Sequence, residues 1–416
     1  MAGITEAMTT ATATTGYVFS ETYLWHDPGS ISFSKWVQPG ESWENADTKR
    51  RLHSLLSVSG LLDKCTIVKC RPASREEILR FHTATYHDRI VSESHREGGG
   101  DGGELARFAQ GGYEIAALSA GGVLAAIEAV MQGRIRNAYC LVRPPGHHAT
   151  SAKGMGFCIF NNIALGALHA KTLGLQRIAI VDYDVHHGNA TQEAFWNDNE
   201  VLFISLHQDN NYPLFSGALT EVGGPDALGT TINLPLPPGS GSGAYGYAFD
   251  TVVIPALHRF NPDIILVSSG FDASDADPLG SMMLSSQDFG SFAKKMCTAA
   301  DTLCGGRIVF AHEGGYSKDY VPFCGLAVVE ALSGLKTEVQ DPYLEEIQNR
   351  GYQSCQPHQK ALIDAVAAMA GLEVPPEDDA DFSLHEKSLI TSMRHFLKTI
   401  PESRHRALLS AVLPTS

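Results

Sequence analysis

An apolar strand that ends in acidic residues and histidines constrains this chain more than any other feature. The β-branched run 177–181 is typical of a buried parallel strand, and the motif DYDVHHG at 182–188 follows it directly. Burying carboxylates there costs free energy unless a counter-charge such as a metal ion compensates them. Strand alternation puts Asp182, Asp184 and His186 on one face, so the sequence predicts a metal site. The alternative is structural, with capping aspartates and hydrogen-bonded core histidines.

Length and composition limit the class of protein. A chain of 416 residues that is 44% hydrophobic and 19% charged can bury a large core, in one α/β domain or in two. Its formal net charge of −15 argues against direct nucleic-acid binding, which needs a basic surface, and is compatible with a cationic substrate. No run of about 18 apolar residues stands out, so we expect no membrane span. Eight cysteines without a CxxC pair favour reduced thiols and therefore a cytoplasmic protein.

The sequence divides into three segments with different predicted structure: 1–15, 16–340 and 341–416. The first is rich in Ala and Thr, lacks the basic and apolar regions of a signal peptide, and is predicted to be a disordered lead. In the second, apolar runs alternate with helical patterns, which indicates a mainly parallel sheet with helices on both faces. The third is predicted to form amphipathic helices that pack on the domain or mediate contacts in a possible homo-oligomer. The glycine-rich stretch 93–104 is predicted to be a flexible linker or a mobile loop.

The predicted strands carry polar residues at their carboxyl ends, where ligands of parallel sheets bind. We predict strands at 138–142, 177–182, 201–206, 231–234, 264–268 and 307–310, and helices at 41–63, 74–82, 115–133, 162–173, 192–196, 251–260 and 287–302. The chemistry lies in four loops: RPPGHHA at 143–149, DYDVHHGN at 182–189, SSGFDA at 268–273 and HEGGY at 312–316. They offer ligands for zinc with an open position for water, two further histidines for proton transfer, and a tyrosine to polarise a carbonyl.

These blocks resemble the arginase–deacetylase superfamily, and specifically the zinc-dependent histone deacetylase family. The resemblance runs from about residue 17 to residue 335 and includes GFCIFNN at 156–162, SLHQD at 205–209 and DPLG at 277–280. Asn189, together with DPLG, is similar to the class II and bacterial amidohydrolase branch. The resemblance implies one α/β domain with a central eight-stranded, mainly parallel sheet, which removes the two-domain option. It also implies hydrolysis of an N-acyl amide such as acetyl-lysine.

The resemblance implies a role for each residue that matches a family motif. The zinc ligands would be Asp184, His186 and Asp272. The catalytic residues would be the tandem pair His147 and His148, oriented by Asp182 and Asn189, and the carbonyl-polarising Tyr316. The substrate tunnel and its rim would use Gly156, Phe157, Tyr212, Leu279, Gly314 and Asp101. Structural potassium is implied near Asp182, Asp184, His186, Ser205 and Leu206, and at a second site near Phe195, Asp198 and Val201.

Two other functions compete with zinc-dependent amide hydrolysis. An arginase-like enzyme with two manganese ions needs a second Asp-x-Asp, but Ser274 stands two residues after Asp272. A non-catalytic reader of acyl groups usually lacks a ligand or the tyrosine, and this chain retains them. Acetyl-lysine, an acetylated polyamine and a small hydrophobic amide stay open as substrates. Leu279 replaces the acidic residue expected of a polyamine specialist, and segment 209–215 is expected to add apolar bulk at the tunnel mouth.

Overall fold

A parallel sheet forms the centre of the protein. The computed structural model describes residues 14–29, 40 and 42–374. Their strands are β1 (Thr15–Val18), β2 (Thr66–Ile67), β3 (Gly100–Asp101), β4 (Gly103–Glu104), β5 (Arg107–Phe108), β6 (Asn137–Cys140), β7 (Gly154–Met155), β8 (Ile178–Asp182), β9 (Val201–Gln208), β10 (Thr231–Leu236), β11 (Ile264–Ser269) and β12 (Ile308–His312). Eight of them form one sheet in the order β10-β9-β8-β11-β12-β6-β1-β2, with every neighbouring pair parallel. The predicted single α/β domain with an eight-stranded parallel sheet is confirmed.

Helices connect the strands and cover both faces of the sheet. In chain order they are α1 (Ala46–Val58), α2 (Arg75–Ile78), α3 (Ala84–Ser94), α4 (Gly112–Met131), α5 (Asn162–Thr172), α6 (Asn189–Phe195), α7 (Ser242–Ala248), α8 (Ile254–Phe260), α9 (Ser286–Cys304), α10 (Val321–Ser333), α11 (Leu344–Gln348) and α12 (Pro357–Met369). Short 3-10 helices lie at Glu21–Trp25 and Leu62–Lys64, and a π-helical turn at Phe249–Val253 leads into α8.

Side-chain alternation along the strands divides the apolar core into two layers. Ala179 and Val181 of β8 belong to the layer that α1, α7 to α10 and α12 cover. Ile178 and Ile180 point to the opposite layer, where α4 and α5 pack. Both faces of the central strands are therefore buried, which explains why their sequences are nearly continuous apolar runs.

Helix α4 is apolar along most of its length. Among the described residues it alone is long and apolar enough, by length and composition, to cross a membrane, and 78% of its apolar window is buried inside the protein. The expectation of no membrane span remains a prediction, and Glu114, Ser119 and Glu128 interrupt the apolar run of α4. Its contacts with α5 and the sheet account for its composition, since a core helix of a large domain is apolar on most sides.

Several local predictions need correction. The glycine-rich stretch 93–104 is not a linker, because α3 continues to Ser94 and β3 and β4 pair with β5 and β7. Residues 95–99 form the turn between α3 and β3. The helix predicted at 41–63 is limited to Ala46–Val58, where the side chain of Asn45 caps its first turn. Strands β1 and β2 and helix α10 are absent from the predicted elements.

The predicted segment boundaries fall partly outside the described residues. Residues 1–13 and 375–416 lie there, together with the predictions made for them. Thr15, assigned to the lead, already belongs to β1. Within the described part of the predicted extension, α11 and α12 are helical, and α12 contacts α7 and β10. The domain limits remain predictions.

A buried ion network ties the loop after β6 to the amino-terminal segment. Arg143 is fully buried, and its Nε donates to both carboxylate oxygens of Glu44 at 2.8 and 2.9 Å. Its guanidinium also donates to the backbone carbonyls of Tyr23 and His26, at 3.0 and 2.8 Å. Lys49 Nζ donates to Glu44 at 3.0 Å. Burial opposes ionisation of Glu44, but Arg143 and Lys49 outweigh it and lower its pKa to about 2.

Glu44→Gln should destabilise the protein strongly, because it leaves two buried cations without a counter-charge. We expect the free energy of unfolding at pH 7 to fall by about 3–5 kcal/mol in chemical denaturation. Since folding lowers the pKa of Glu44 from 4.5, its contribution is complete above pH 4.5 and disappears as the pH falls through 2. Glu346→Gln, which breaks an exposed pair with Arg350, is the control and should cost about 1 kcal/mol or less. Equal losses in the two variants would contradict the prediction.

Candidate active site

Four loops meet at the carboxyl edge of the sheet. They follow β6, β8, β11 and β12, which are neighbours in the order β8-β11-β12-β6. The carboxyl ends of neighbouring parallel strands lie at one edge, so residues distant in sequence come together there. The structure thus places the four predicted motif loops side by side.

Asp184, His186 and Asp272 form a compact, buried candidate metal-binding group. One ligand atom from each lies within 4.8 Å of the others. His186 Nδ1 is 3.0 Å from Asp184 Oδ1 and 3.1 Å from Asp272 Oδ2. Asp182, grouped with these residues by strand alternation, turns away to a histidine partner instead. Two carboxylates and one imidazole are a donor set that suits zinc and leaves a coordination position open.

The surroundings of this group fit a cation. Asp272 Oδ2 is buried without a hydrogen bond, and the ring of His186 faces it as an ion pair at 3.1 Å. An unpaired buried carboxylate oxygen is costly unless a positive charge approaches it. A Cβ atom at Gly314 would collide with Asp272 Oδ2, and one at Gly270 would collide with Asp184 Oδ2. Glycine at both positions keeps the carboxylates accessible to an ion.

The tandem histidines lie beside this group and have different partners. His147 Nδ1 contacts Asp182 Oδ2 at 2.9 Å, and its Nε2 is 3.8 Å from Asp184 Oδ1. His148 Nδ1 contacts Asn189 Oδ1 at 2.8 Å. Both rings are buried, with centroids 4.0 Å apart. The two orienting contacts proposed from the sequence, Asp182 with His147 and Asn189 with His148, are present in the structure.

The two histidines differ in charge because their neighbours differ. Burial disfavours the charged form of His147, but Asp184 and Asp182 outweigh it and raise its pKa to about 10. Burial, together with the positive charges of His147 and His186, holds the pKa of His148 well below its usual value. At neutral pH the pair therefore comprises one imidazolium and one neutral imidazole.

Aromatic rings line the approach to the histidines. Tyr316 is 8% exposed, and its ring lies 5.9 Å from Phe157 and 6.5 Å from His186, centroid to centroid. The ring of Tyr212 is 5.1 Å from His148. Phe157 and Tyr212 are half-buried, as expected of residues between a buried site and solvent. Gly156 packs so closely on His148 that a side chain there would collide with the ring.

The remaining residues predicted to bind substrate are Gly314, Leu279 and Asp101. Gly314 N donates to Asp184 Oδ2 at 2.8 Å, and the Leu279 carbonyl accepts from Asn211 at 3.2 Å. Asp101 is exposed and accepts from Gly103 N within its own turn. A nearby acid, Glu104, accepts from the Tyr212 hydroxyl at 3.4 Å.

The residues predicted to bind potassium lie along β8, β9 and the turn before β9. Ser205 is opposite Asp182 in the sheet, with Leu206 next to it. Phe195, Asp198 and Val201 share one turn, in which Asp198 N donates to the Phe195 carbonyl and Val201 N to the Asp198 carbonyl. Asp198 also pairs with Lys171 at 2.6 Å. Potassium at either position remains a prediction.

Sequence reasoning missed two buried acids of the site. Glu313 accepts hydrogen bonds from the loop that carries the tandem histidines, and Asp277 from the loop that carries Tyr316. Burial raises the pKa of both carboxyl groups to about 7. Glu313 follows an apolar strand just as Asp182 does, so the signal that identified Asp182 could also have identified it.

Comparison with known proteins identifies the family. The family model described as "Histone deacetylase domain" matches residues 42–332. The chain is 44% identical over 370 residues to the histone deacetylase-like amidohydrolase of Pseudomonas aeruginosa, covering 87% of this chain and 97% of that one. It is 35% identical over 339 residues to a probable deacetylase of Archaeoglobus fulgidus, covering 80% and 91%. The crystal structure of the HDA15 HD domain superposes with a TM-score of 0.73 at 30% identity, covering 86% and 95%.

The chain belongs to the histone deacetylase family. The predicted family membership is confirmed, and with it a hydrolase of the deacetylase and amidohydrolase type. Members of this family are zinc-dependent and act on acylated amines, and this chain has a candidate metal-binding group where the family motifs predict one.

Zinc uptake by the metal-free protein at pH 8 should release about one proton per ion. Burial opposes charge on His186, but Asp184 and Asp272 outweigh it and raise its pKa to about 10, so the ring must lose a proton to bind a metal. Calorimetric titration in two buffers of different ionisation enthalpy measures the release. Asp272→Asn, which keeps the shape and removes one charge, should bind zinc more weakly. Equal heats in the two buffers would contradict the prediction.

Proposed function

We propose that this protein is a zinc-dependent hydrolase of N-acyl amides, with Asp184, His186 and Asp272 as the zinc ligands. The observation that carries the proposal is the arrangement around the metal-binding group. The buried group of ligands is bordered by the neutral imidazole of His148, the charged imidazole of His147 and the hydroxyl of Tyr316. When bound, zinc polarises the acyl oxygen and lowers the pKa of a water molecule towards about 7.

His148 is suited to act as the general base. Its Nδ1–H donates to Asn189 Oδ1, which leaves the lone pair of Nε2 to accept a proton. Because its pKa lies well below the usual value, the ring is neutral and ready to take the proton of the attacking water at neutral pH. The same nitrogen can then return the proton to the leaving amine.

His147 and Tyr316 are suited to stabilise the charge that develops on the acyl carbon's oxygen. His147 is held as an imidazolium by Asp184 and Asp182, and its charge lies next to His148. Burial, together with Asp272 and Asp184, holds the pKa of Tyr316 well above its usual value, so the hydroxyl keeps its proton and can donate it in a hydrogen bond.

Tyr316→Phe should lower kcat by about a hundred- to a thousandfold, the usual effect of removing one oxyanion donor. Zinc content should not change, because the hydroxyl is not a ligand. Tyr320→Phe is the matched control: it removes a hydroxyl that bonds to Asp341 outside the site, and it should keep most of the activity. Near-normal turnover in Tyr316→Phe would refute the role of the hydroxyl.

The arginase-like alternative has little support. At this site, the described residues contain a single group of three ligand side chains. Ser274, where a second metal would need a carboxylate, is buried and its hydroxyl has no hydrogen-bond partner. A non-catalytic reader is also poorly supported, because all the catalytic side chains are present and oriented.

We propose an acetylated amine, with acetyl-lysine in a protein first, as the substrate, since family relatives are deacetylases. An acetylated polyamine and a hydrophobic anilide are the alternatives. Turnover of an acetyl-lysine peptide, acetylspermidine and an acyl anilide, with and without a hydroxamate, should show a preference for the peptide. A preference for either small substrate would overturn the choice of substrate. Loss of all hydroxamate-sensitive hydrolysis in zinc-loaded protein would overturn the function.

We also propose a cytoplasmic location. The support is that all eight cysteines lie in the described part of the chain and are free thiols. Free thiols are typical of reducing compartments.

A further inference from the structure

Two buried carboxylates hold the backbone of the loops that carry the catalytic side chains. Glu313 Oε2 accepts from Gly146 N at 2.7 Å and from His147 N at 3.2 Å. Asp277 Oδ2 accepts from Tyr316 N at 2.7 Å and from Ser317 N at 3.2 Å. In each case one oxygen binds two consecutive N–H groups of the loop.

The second oxygen of each carboxylate is also hydrogen-bonded. Glu313 Oε1 accepts from the Ser268 hydroxyl at 3.1 Å, and Asp277 Oδ1 accepts from Leu279 N at 3.0 Å. Glu313 lies at the end of β12, between β11 and β6 in the sheet. Its side chain therefore joins the loop after β6 to the end of β11, on the two sides of its own strand.

These contacts favour ionised carboxylates in a place where burial disfavours them. Glu313 is fully buried and Asp277 is 6% exposed. N–H groups that point at a carboxylate stabilise its charged form, and both groups are held by such donors. A side chain that is shorter or that lacks an acceptor would leave N–H groups of a catalytic loop unpaired.

We propose that Glu313 and Asp277 are positioning residues, Glu313 for the tandem histidines and Asp277 for Tyr316. The inference rests on the proposed function, in which these three side chains transfer protons and stabilise charge. A displacement of about 1 Å in such groups can cost about a hundredfold in rate. The backbone N–H groups that the two carboxylates hold belong to the loops after β6 and β12, which carry no metal ligand. The loss should therefore fall on turnover and not on metal content.

The first test compares Glu313→Ala with Glu313→Gln, which keeps an acceptor oxygen of nearly the same reach. Expressed per zinc-loaded chain, kcat should fall by about a hundredfold in the alanine variant and by less in the glutamine variant, with KM changed by less than about threefold. Asp277→Ala and Asp277→Asn should follow the same order. Glu330→Ala is the matched control. Glu330 is a buried carboxylate on α10 that also accepts from a backbone N–H, that of Thr337 at 2.8 Å, but it lies away from the catalytic loops.

The second readout is amide hydrogen exchange, which does not depend on activity. Exchange should accelerate at residues 146–147 in Glu313→Ala and at residues 316–317 in Asp277→Ala, each variant loosening only its own loop. If the alanine variants keep kcat within about threefold of the wild type, or leave exchange in their loops unchanged, the proposal is wrong. If the wild type itself hydrolyses no acyl amide, the proposed function fails, and the exchange measurement still decides whether the carboxylates hold the loops.

Discussion

Negative charge buried at one edge of the sheet is the constraint on which the rest of this structure depends. Asp182, Asp184, Asp272 and Glu313 are all fully buried there. Residues from other loops partner three of them: His147 partners Asp182, and the N–H groups of Gly314 and Val185 partner Asp184 and Asp272. Asp272 Oδ2 has no hydrogen bond and faces the protonated ring of His186 at 3.1 Å. The requirement for a positive charge is thus concentrated in one place, where a metal ion would take over from the proton on His186.

The chemical site was largely predictable because its signal is local. An apolar strand that ends in carboxylates usually marks a functional site, and the sequence of β8 and its loop was enough to predict this one. The family motifs then added Asp272 and Tyr316 from other strands. The same signal also marked Glu313, but its partners Gly146 and His147 lie far away in sequence, and nothing local indicates that a loop needs an acceptor. Glu44 and Arg143, 99 residues apart, were unpredictable for the same reason.

The central strands were predictable because both of their sides are buried, which makes each a short, nearly continuous apolar run. Their short length separates them from apolar helices such as α4. Prediction missed the buried strand β1 and the buried helix α10, and it failed at elements that are short or exposed. Strand β2 has two exposed residues, and β3 and β4 consist of two residues each, so none has the alternation that identifies a strand. The glycine-rich composition of 93–104 indicates flexibility, whereas pairing of β4 with β7 anchors this stretch beside Phe157.

The glycines beside the ligands also limit how this protein can diversify. Gly270 and Gly314 have no room even for a methyl group, because a carboxylate oxygen occupies the space. Selection for a new substrate cannot act through these positions without closing the site. It can act on the surface segments around the entrance, such as 209–215, where Leu214 and Phe215 are 60% and 89% exposed. Inherited changes in substrate range should therefore accumulate in the entrance loops while the sheet edge keeps its residues.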